Sequence, residues 1–513
     1  MSDRVDTVVI GAGLGGLAAG VTLAGAGRSV VVLEQQAGPG GYAQGFTRGR
    51  YRFDASLHAL GGLAPGGGFD TLYEDLGISG LLSLRRLDPL YRLRLPGMEI
   101  VAHADWFRYE SELIDRFPAE ADGIRSYLDE VLAVQHDSRR MQEDESAHHG
   151  PAMEEFRRRY PAVMRITDET WDQMMARHVT DHRLRTVLGG LWGYVGLPPA
   201  SCSALIGAGV TGSYHEYGAW YPAGGAQALT DALVRLLRER GGTLLLSQLV
   251  TSMQWHDGHA ISVTTSDGLR LEADSFISNA SAPFTMLDLV GRDRLPAAYA
   301  QRIASPAPSY ATFAVYLGLN RDIFAEHGLD HELILAGSDD ASSSWDACQR
   351  GDWDHAATTV TDYTGVDPGC APHGHGAVVL TTPAAWEYAD TWGTGGDLAG
   401  YHGNQRYLDI KEAVTDSLVA RAARELPGLD DAISYLEAST PLTNFDYTRN
   451  PFGAIEGYEN SPANSGPGWL PQETPVPNLY LAGAWTTAGG MNAAMASGTR
   501  AAALVLERLP AQT

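Results

Sequence analysis

The 513-residue chain predicts an α/β fold, and three observations carry that reading. Residues 5–10 form a short apolar run that passes straight into Gly11-Ala12-Gly13-Leu14-Gly15-Gly16. A helix-like stretch, 17–26, follows and stops at Gly27. A second apolar run, 29–33, ends on the acidic Glu34. Strand, turn, helix and strand within about 30 residues make one parallel β-α-β unit. A chain of this length exceeds one ordinary hydrophobic core, so two domains are expected.

Each residue of the turn has a physical reason. Gly11 permits the tight bend, Gly13 lets backbone N–H groups approach a pyrophosphate, and Gly16 lets helix and strand pack closely. Ala12, Leu14 and Gly15 complete the loop at the helix N-terminus, where the dipole favours an anion. Glu34, with Gln35 beside it, stands where a carboxylate accepts hydrogen bonds from both ribose hydroxyls, and its charge repels a 2′-phosphate, which disfavours NADP. The pattern specifies a dinucleotide. NAD and FAD share the adenosine half, so this turn does not choose between them.

Along the rest of the chain, 105–177 mixes charged and apolar residues at helical spacing, as in Ile124, Tyr127, Leu128, Val131 and Leu132, and reads as a helical insertion. Residues 188–209 are apolar but broken by Gly and Pro and too short to cross a bilayer; they read as buried core or as the wall of an apolar tunnel. A helix at 227–240 leads to a strand at 243–246. Ser266-Asp267-Gly268 signals a hairpin between 263–265 and 269–271, and another strand follows at 274–278. Strands at 312–319 and 377–380 belong to the second domain, and the polar stretch 337–376 is expected to be mostly loop. A helix at 411–426, a strand at 479–482 and a small-residue helix at 491–509 complete the pass.

Composition excludes several functions. Lys+Arg 37 against Asp+Glu 62 gives a formal charge of −25, which repels nucleic-acid phosphates and anionic headgroups, so no nucleic-acid partner is expected. Lys411 is the sole lysine, which leaves almost nothing for Schiff-base chemistry. Cys202, Cys348 and Cys370 lack metal or disulfide spacing, and His148-His149 and His373-Gly374-His375 have no partners at ligand distance in sequence, so no metal is expected. There is no GxSxG elbow and no paired-carboxylate spacing. The first strand begins too early to leave room for a signal sequence, and a cytoplasmic protein with at most transient membrane contact is expected.

Further blocks carry a resemblance. Pro39-Gly40-Gly41-Tyr42, Tyr51-Arg52-Phe53-Asp54, His58-Ala59-Leu60-Gly61-Gly62 and Tyr221-Pro222-Ala223-Gly224-Gly225 come first. Ser278-Asn279-Ala280, Thr440-Pro441-Leu442-Thr443, Asn450-Pro451-Phe452-Gly453-Ala454, Leu481-Ala482-Gly483-Ala484 and Ala488-Gly489-Gly490-Met491 follow in order. With the opening turn, these resemble the glutathione-reductase-type flavoproteins, and more closely the phytoene desaturase-like superfamily, in its carotenoid isomerase and retinol saturase branch. The similarity covers nearly the whole chain; only 105–185 and 337–370 match no block.

The resemblance implies a discontinuous Rossmann FAD-binding domain (1–100, 216–300 and 441–513) and an interleaved α+β substrate-binding domain (101–215 and 301–440). It implies FAD as cofactor, with Gly40 and Gly41 near the diphosphate, Val250 on the adenine side, and Gly483, Ala484, Gly490 and Met491 closing on ribityl and flavin. A strand ending at Gly483, then glycines opening a helix, makes a second N-terminal anion site suited to a reduced flavin. Two positions depart from the family. Ala484 stands where Asp is usual, which removes a carboxylate bond to the ribityl chain, and Ala55 stands where Gly is common, which shifts the loop carrying His58.

The activity so implied is an FAD-dependent oxidoreductase acting on C–C and C=C bonds of a long hydrophobic polyene or isoprenoid-like substrate, with hydride transfer at flavin N5. His58 is the acid–base candidate near the ring. Tyr447, Arg449 and Asn450 line the site or serve packing and capping. Desaturation, saturation and redox-neutral cis–trans isomerisation all stay open, as do the electron partner and oligomeric state. A flavin-free prenyl-binding protein of the Rab GDP-dissociation-inhibitor type shares the fold, but the intact glycines and Glu34 speak against it. Amine oxidation lacks support, because no flavin-attachment cysteine lies near the last motif.

Overall fold

A computed structural model describes residues 4–143 and 153–509. The first of two large sheets runs Thr243–Leu245, Val30–Leu33, Arg4–Ile10, Arg270–Ser278, His259–Thr265, Val250–His256, and Leu479–Leu481 also pairs with Arg270–Ser278. Arg4–Ile10 is parallel to both neighbours, with Thr7 opposite Val30 on one side and Ser275 on the other. Val30–Leu33 is buried along its whole length, as a β-branched strand covered on both faces should be. Five strands are parallel to one another, and four of them deliver their carboxyl ends together at one edge, where Gly11, Glu34, Asn279 and the approach to Gly483 emerge. Ligand sites of open α/β sheets form at this edge.

The helix Leu14–Gly25 packs against both Met491–Arg508 and Ala226–Glu239. Glycine sets how close the first pair comes: a Cβ on Gly498 would stand 1.9 Å from the Gly15 carbonyl oxygen. On the far side the expected hairpin is present between His259–Thr265 and Arg270–Ser278, with Asp267 Oδ1 accepting from Leu269 N (3.3 Å).

The second sheet runs Ile433–Ser439, Ala311–Leu319, Gly376–Ala384, Thr358–Asp362, Glu332–Leu335, Tyr91–Leu95, Met98–Ala102. Its last two strands come from residues 91–102. Most of 337–376 is irregular, as expected, but the segment also holds the helix Ala341–Arg350 and the strand Thr358–Asp362, which the polar composition did not announce. Asp340 caps that helix by accepting from Ser343 N (2.9 Å), and threonine, being β-branched, builds a strand despite its polarity.

The helical insertion is present, from Trp106–Arg116 to Ala204–His215. Trp171 is its anchor: its Nε1 donates to Tyr127 OH (2.9 Å), and Gly207 leaves room for the indole. Among the described residues no helix is long and apolar enough to cross a membrane.

Candidate cofactor and active site

The edge where the parallel strands end opens into a cavity of about 1560 Å³. Gly11, Gly13, Leu14, Gly15, Glu34, Gln35, Gly40, Gly41, Val250, Gly483, Ala484, Gly490 and Met491 all line it, and so does His58. The two chain-terminal glycine turns thus face one space. Asn279 joins them: a Cβ on Gly13 would stand 2.7 Å from its Nδ2, and one on Gly483 2.4 Å from its Oδ1. Ala12 and Gly16, expected as binding residues, are not on the wall. Ala12 instead donates its N–H to Glu34 Oε2 (2.8 Å) and accepts from Gly40 N (2.8 Å). A Cβ on Gly16 would stand 2.0 Å from the Gly11 carbonyl oxygen, so that glycine serves the helix–strand contact.

The Glu34 carboxylate is buried, and burial pushes its pKa up against the backbone hydrogen bonds that hold the charged form. It also accepts from Gln36 N (2.9 Å). A carboxylate has about four acceptor positions, so roughly half remain for a ligand. Gln35 is tied to a strap crossing this end of the cavity: its Nε2 donates to Tyr447 O (3.0 Å) and its Oε1 accepts from Arg449 Nε (3.1 Å). Asn450 lines the cavity yet spends its amide on the turn, donating to Ala454 O (2.9 Å).

Both helices that begin at the cavity start on glycine, Gly13 for Leu14–Gly25 and Gly490 for Met491–Arg508, with no side-chain cap and no acidic residue in the first turn. Their terminal N–H groups are left for a ligand. Gly490 has φ +101° and nothing within 4 Å of where a Cβ would stand, so it opens directly on the cavity.

His58 sits against the second sheet. Its Nδ1 lies 2.8 Å from Thr361 Oγ1 and 3.0 Å from Glu332 Oε2, and Glu332 and Thr361 are direct cross-strand partners. Thr361 gives its hydroxyl proton to Glu332 Oε2 (3.1 Å) and Tyr194 gives its own to Oε1 (2.8 Å), so Nδ1 of His58 carries the proton it donates. Burial works to raise Glu332, but the charges of His58 and His331 and the bonds from His58 and Tyr194 bring it below the usual carboxylate value. No sequence motif marked Glu332; only its strand register reveals it.

Other conspicuous residues prove structural. Buried Asp54, pushed up to about 6 by desolvation against a Tyr221 hydrogen bond, accepts from Tyr221 OH and from Ala226 N (2.9 Å) at the start of Ala226–Glu239. That contact ties the Phe53-Asp54 block to the Tyr221 block. His375 Nδ1 meets Tyr51 OH (3.0 Å), and no group of metal-ligating side chains exists among the described residues. His148-His149 lie outside those residues. All three cysteines are free and buried. Part of the 188–209 patch, including Trp192, Tyr194, Leu205 and Ile206, walls the cavity, while Leu188 and Cys202 are core.

A family model for flavin-containing amine oxidoreductases matches residues 14–506. The chain belongs to that family. It is 26% identical over 527 residues to a lycopene-forming phytoene desaturase from Pseudescherichia vulneris, covering 98% of this chain and 99% of that one. Chloroplastic prolycopene isomerase 2 of an Oncidium hybrid cultivar is 25% identical over 86% of this chain and 73% of its own. Human all-trans-retinol 13,14-reductase is 23% identical over 99% of this chain and 86% of its own. The fold is that of a putrescine oxidase with redesigned cofactor binding (TM-score 0.65, 17% identity, covering 99% of each chain) and of a Methanosarcina mazei oxidoreductase (TM-score 0.61, 17% identity, covering 98% of this chain and 100% of that one).

The family makes this chain an FAD oxidoreductase, not a flavin-free prenyl carrier. The residues present suit the cofactor: two uncapped glycine-headed helices and a buried carboxylate with free acceptor positions stand around one cavity large enough to hold it.

Proposed function

We propose that this family member acts on carbon–carbon bonds of a long hydrophobic polyene or isoprenoid-like molecule, by desaturation or saturation. Bound FAD supplies hydride acceptance and donation at its N5. The observation that carries the reading is the continuity of a single cavity, from the glycine turns, past His58, to an apolar wall built by Trp192, Tyr194, Leu205 and Ile206. Full-length likeness to phytoene desaturases and to a retinol reductase supports the substrate class.

In this reading Gly11, Gly13, Gly40 and Gly41 receive the diphosphate, Glu34 the ribose and Val250 the adenine side. Gly483, Ala484, Gly490 and Met491 receive the ribityl and ring. The division into an FAD-binding part (1–100, 216–300, 441–513) and a substrate-binding part (101–215, 301–440) belongs to the same proposal. His58 meets the substrate beside the ring as acid–base group, with Glu332 and Thr361 fixing its Nδ1. The apolar wall excludes water and orients the chain of the substrate. Likeness to prolycopene isomerases favours a second reading, redox-neutral cis–trans isomerisation.

The test is anaerobic incubation of the yellow, purified protein with a panel of polyenes, following flavin bleaching and product mass. Loss of two hydrogens marks desaturation and gain of two marks saturation. Unchanged mass with altered chromatographic retention marks isomerisation. A flavinated protein that leaves every polyene intact but oxidises amines overturns the proposal.

A further inference from the structure

One buried acid in the cavity is used by nothing described so far. Glu456 leaves the Pro451–Gly453 turn on a segment fastened to its neighbour by Ile455 N donating to Tyr310 O (3.1 Å) and Glu456 N donating to Ser309 Oγ (2.8 Å). Its side chain is buried and lies against the glycine turn that opens the C-terminal helix: a Cβ on Gly489 would stand 2.5 Å from Glu456 Cδ and 2.6 Å from Oε2. Gly489 is thus glycine because Glu456 occupies the place of a side chain. Oε2 accepts one hydrogen bond, from Asn460 Nδ2 (3.1 Å), and Asn460 is itself fixed on Val195 O (3.0 Å). Among the described residues Oε1 has no hydrogen-bond partner, and Glu456 lines the cavity.

Among the described residues no arginine, lysine or histidine pairs with this carboxyl. The ionisable groups that feel it are Cys202, Tyr214 and Tyr310, each kept neutral because burial raises it. Gly489 lies against the carboxyl, and the Ser309 hydroxyl accepts from the Glu456 backbone N–H. Burial, against the single Asn460 bond, raises Glu456 to about 8, whereas Glu332 across the same cavity lies below the ordinary value. Two carboxyls with opposed environments in one site divide acid from base work.

We propose that Glu456 is a second acid–base group of this site, the one that exchanges the proton accompanying hydride movement at the ring end of the cavity. The inference rests on the FAD and polyene reading above. In saturation, one carbon of the C=C bond gains a hydride from reduced FAD and its neighbour gains the Glu456 proton. The carboxylate left behind is reprotonated from water. In desaturation the hydride leaves to oxidised FAD and the vicinal proton to the Glu456 carboxylate, so atoms and electrons balance in both directions.

The test is the midpoint potential of the bound flavin, measured by spectroelectrochemistry from pH 6 to pH 10 in wild type, Glu456→Gln and Glu456→Asp. Wild type should change slope near pH 8, the change amounting to one proton per two electrons. Glu456→Gln should stay flavinated and lose that break; Glu456→Asp should regain it at a shifted pH. A flavinated Glu456→Gln with the wild-type break overturns the inference and leaves the cofactor reading standing. Wild-type protein that is colourless and refuses added FAD overturns that reading and the inference with it.

Discussion

Gly13 and Glu456 show how little room single residues have here. An aspartate at position 13 would drive its Cβ to 2.7 Å from Asn279 Nδ2 and set a carboxylate where the helix N-terminus awaits an anion. Gly13→Asp should therefore abolish FAD retention, read as the flavin-to-protein absorbance ratio after gel filtration; full flavination would contradict the diphosphate placement. Glu456 makes a pH prediction with a definite sign. Its folded value, about 8, is above its ordinary 4.5, so the folded state holds a proton that the unfolded chain has released. The stability this group contributes is complete below about pH 4.5, falls as pH rises, and is gone above about 8. In that window wild type should lose stability relative to Glu456→Gln by about 1.4 kcal/mol per pH unit. Urea unfolding at a series of pH values measures it, and parallel curves for the two proteins would refute it.

Among the elements, the crossing of Leu14–Gly25 with Met491–Arg508 matters most, because it brings the two glycine turns together. The Gly498 position touches backbone, at 1.9 Å from Gly15 O, and backbone cannot rotate away as a side chain can. Gly498→Leu should cost about 3 kcal/mol, at the upper end of overpacking penalties, and should loosen FAD as well because Gly15 is the residue displaced. Denaturant midpoint and FAD dissociation measured on the same variant test both halves. The strand Glu332–Leu335 has the parallel role on the other wall, since its register sets Glu332 opposite Thr361 and hence fixes His58.

For the whole molecule, segments from both ends and the middle of the chain share one ligand cavity. Binding there should couple to global folding. A ligand held only by the native state adds about 2.7 kcal/mol at a hundredfold excess over its dissociation constant. The thermal midpoint of this protein should therefore climb with added free FAD and fall after flavin is stripped. A midpoint indifferent to FAD concentration would mean that the two turns do not grip one molecule. The fold as a whole was readable from its patterned parts, such as the opening β-α-β unit and the hairpin at Asp267. Glu332, Thr361 and the 341–362 helix and strand were not, because their residues carry no apolar period and acquire meaning only beside partners distant in sequence.

The amino-acid order alone fixed the backbone-dictated features: where glycine is needed for a bend, where a helix N-terminus is left open, where Glu34 stands, and which family these blocks resemble. Those are local properties, set by sterics within a few residues. Tertiary structure alone decided which groups share a cavity and in which direction burial and contacts shift their titration. Parallel pairing carried Gly11, Asn279 and Gly483 to one edge. Cross-strand register gave His58 its carboxylate. Burial beside Gly489 pushed Glu456 well above the ordinary carboxylate value. Desolvation and long-range contact are properties of the assembled fold, and no spacing along the chain encodes them.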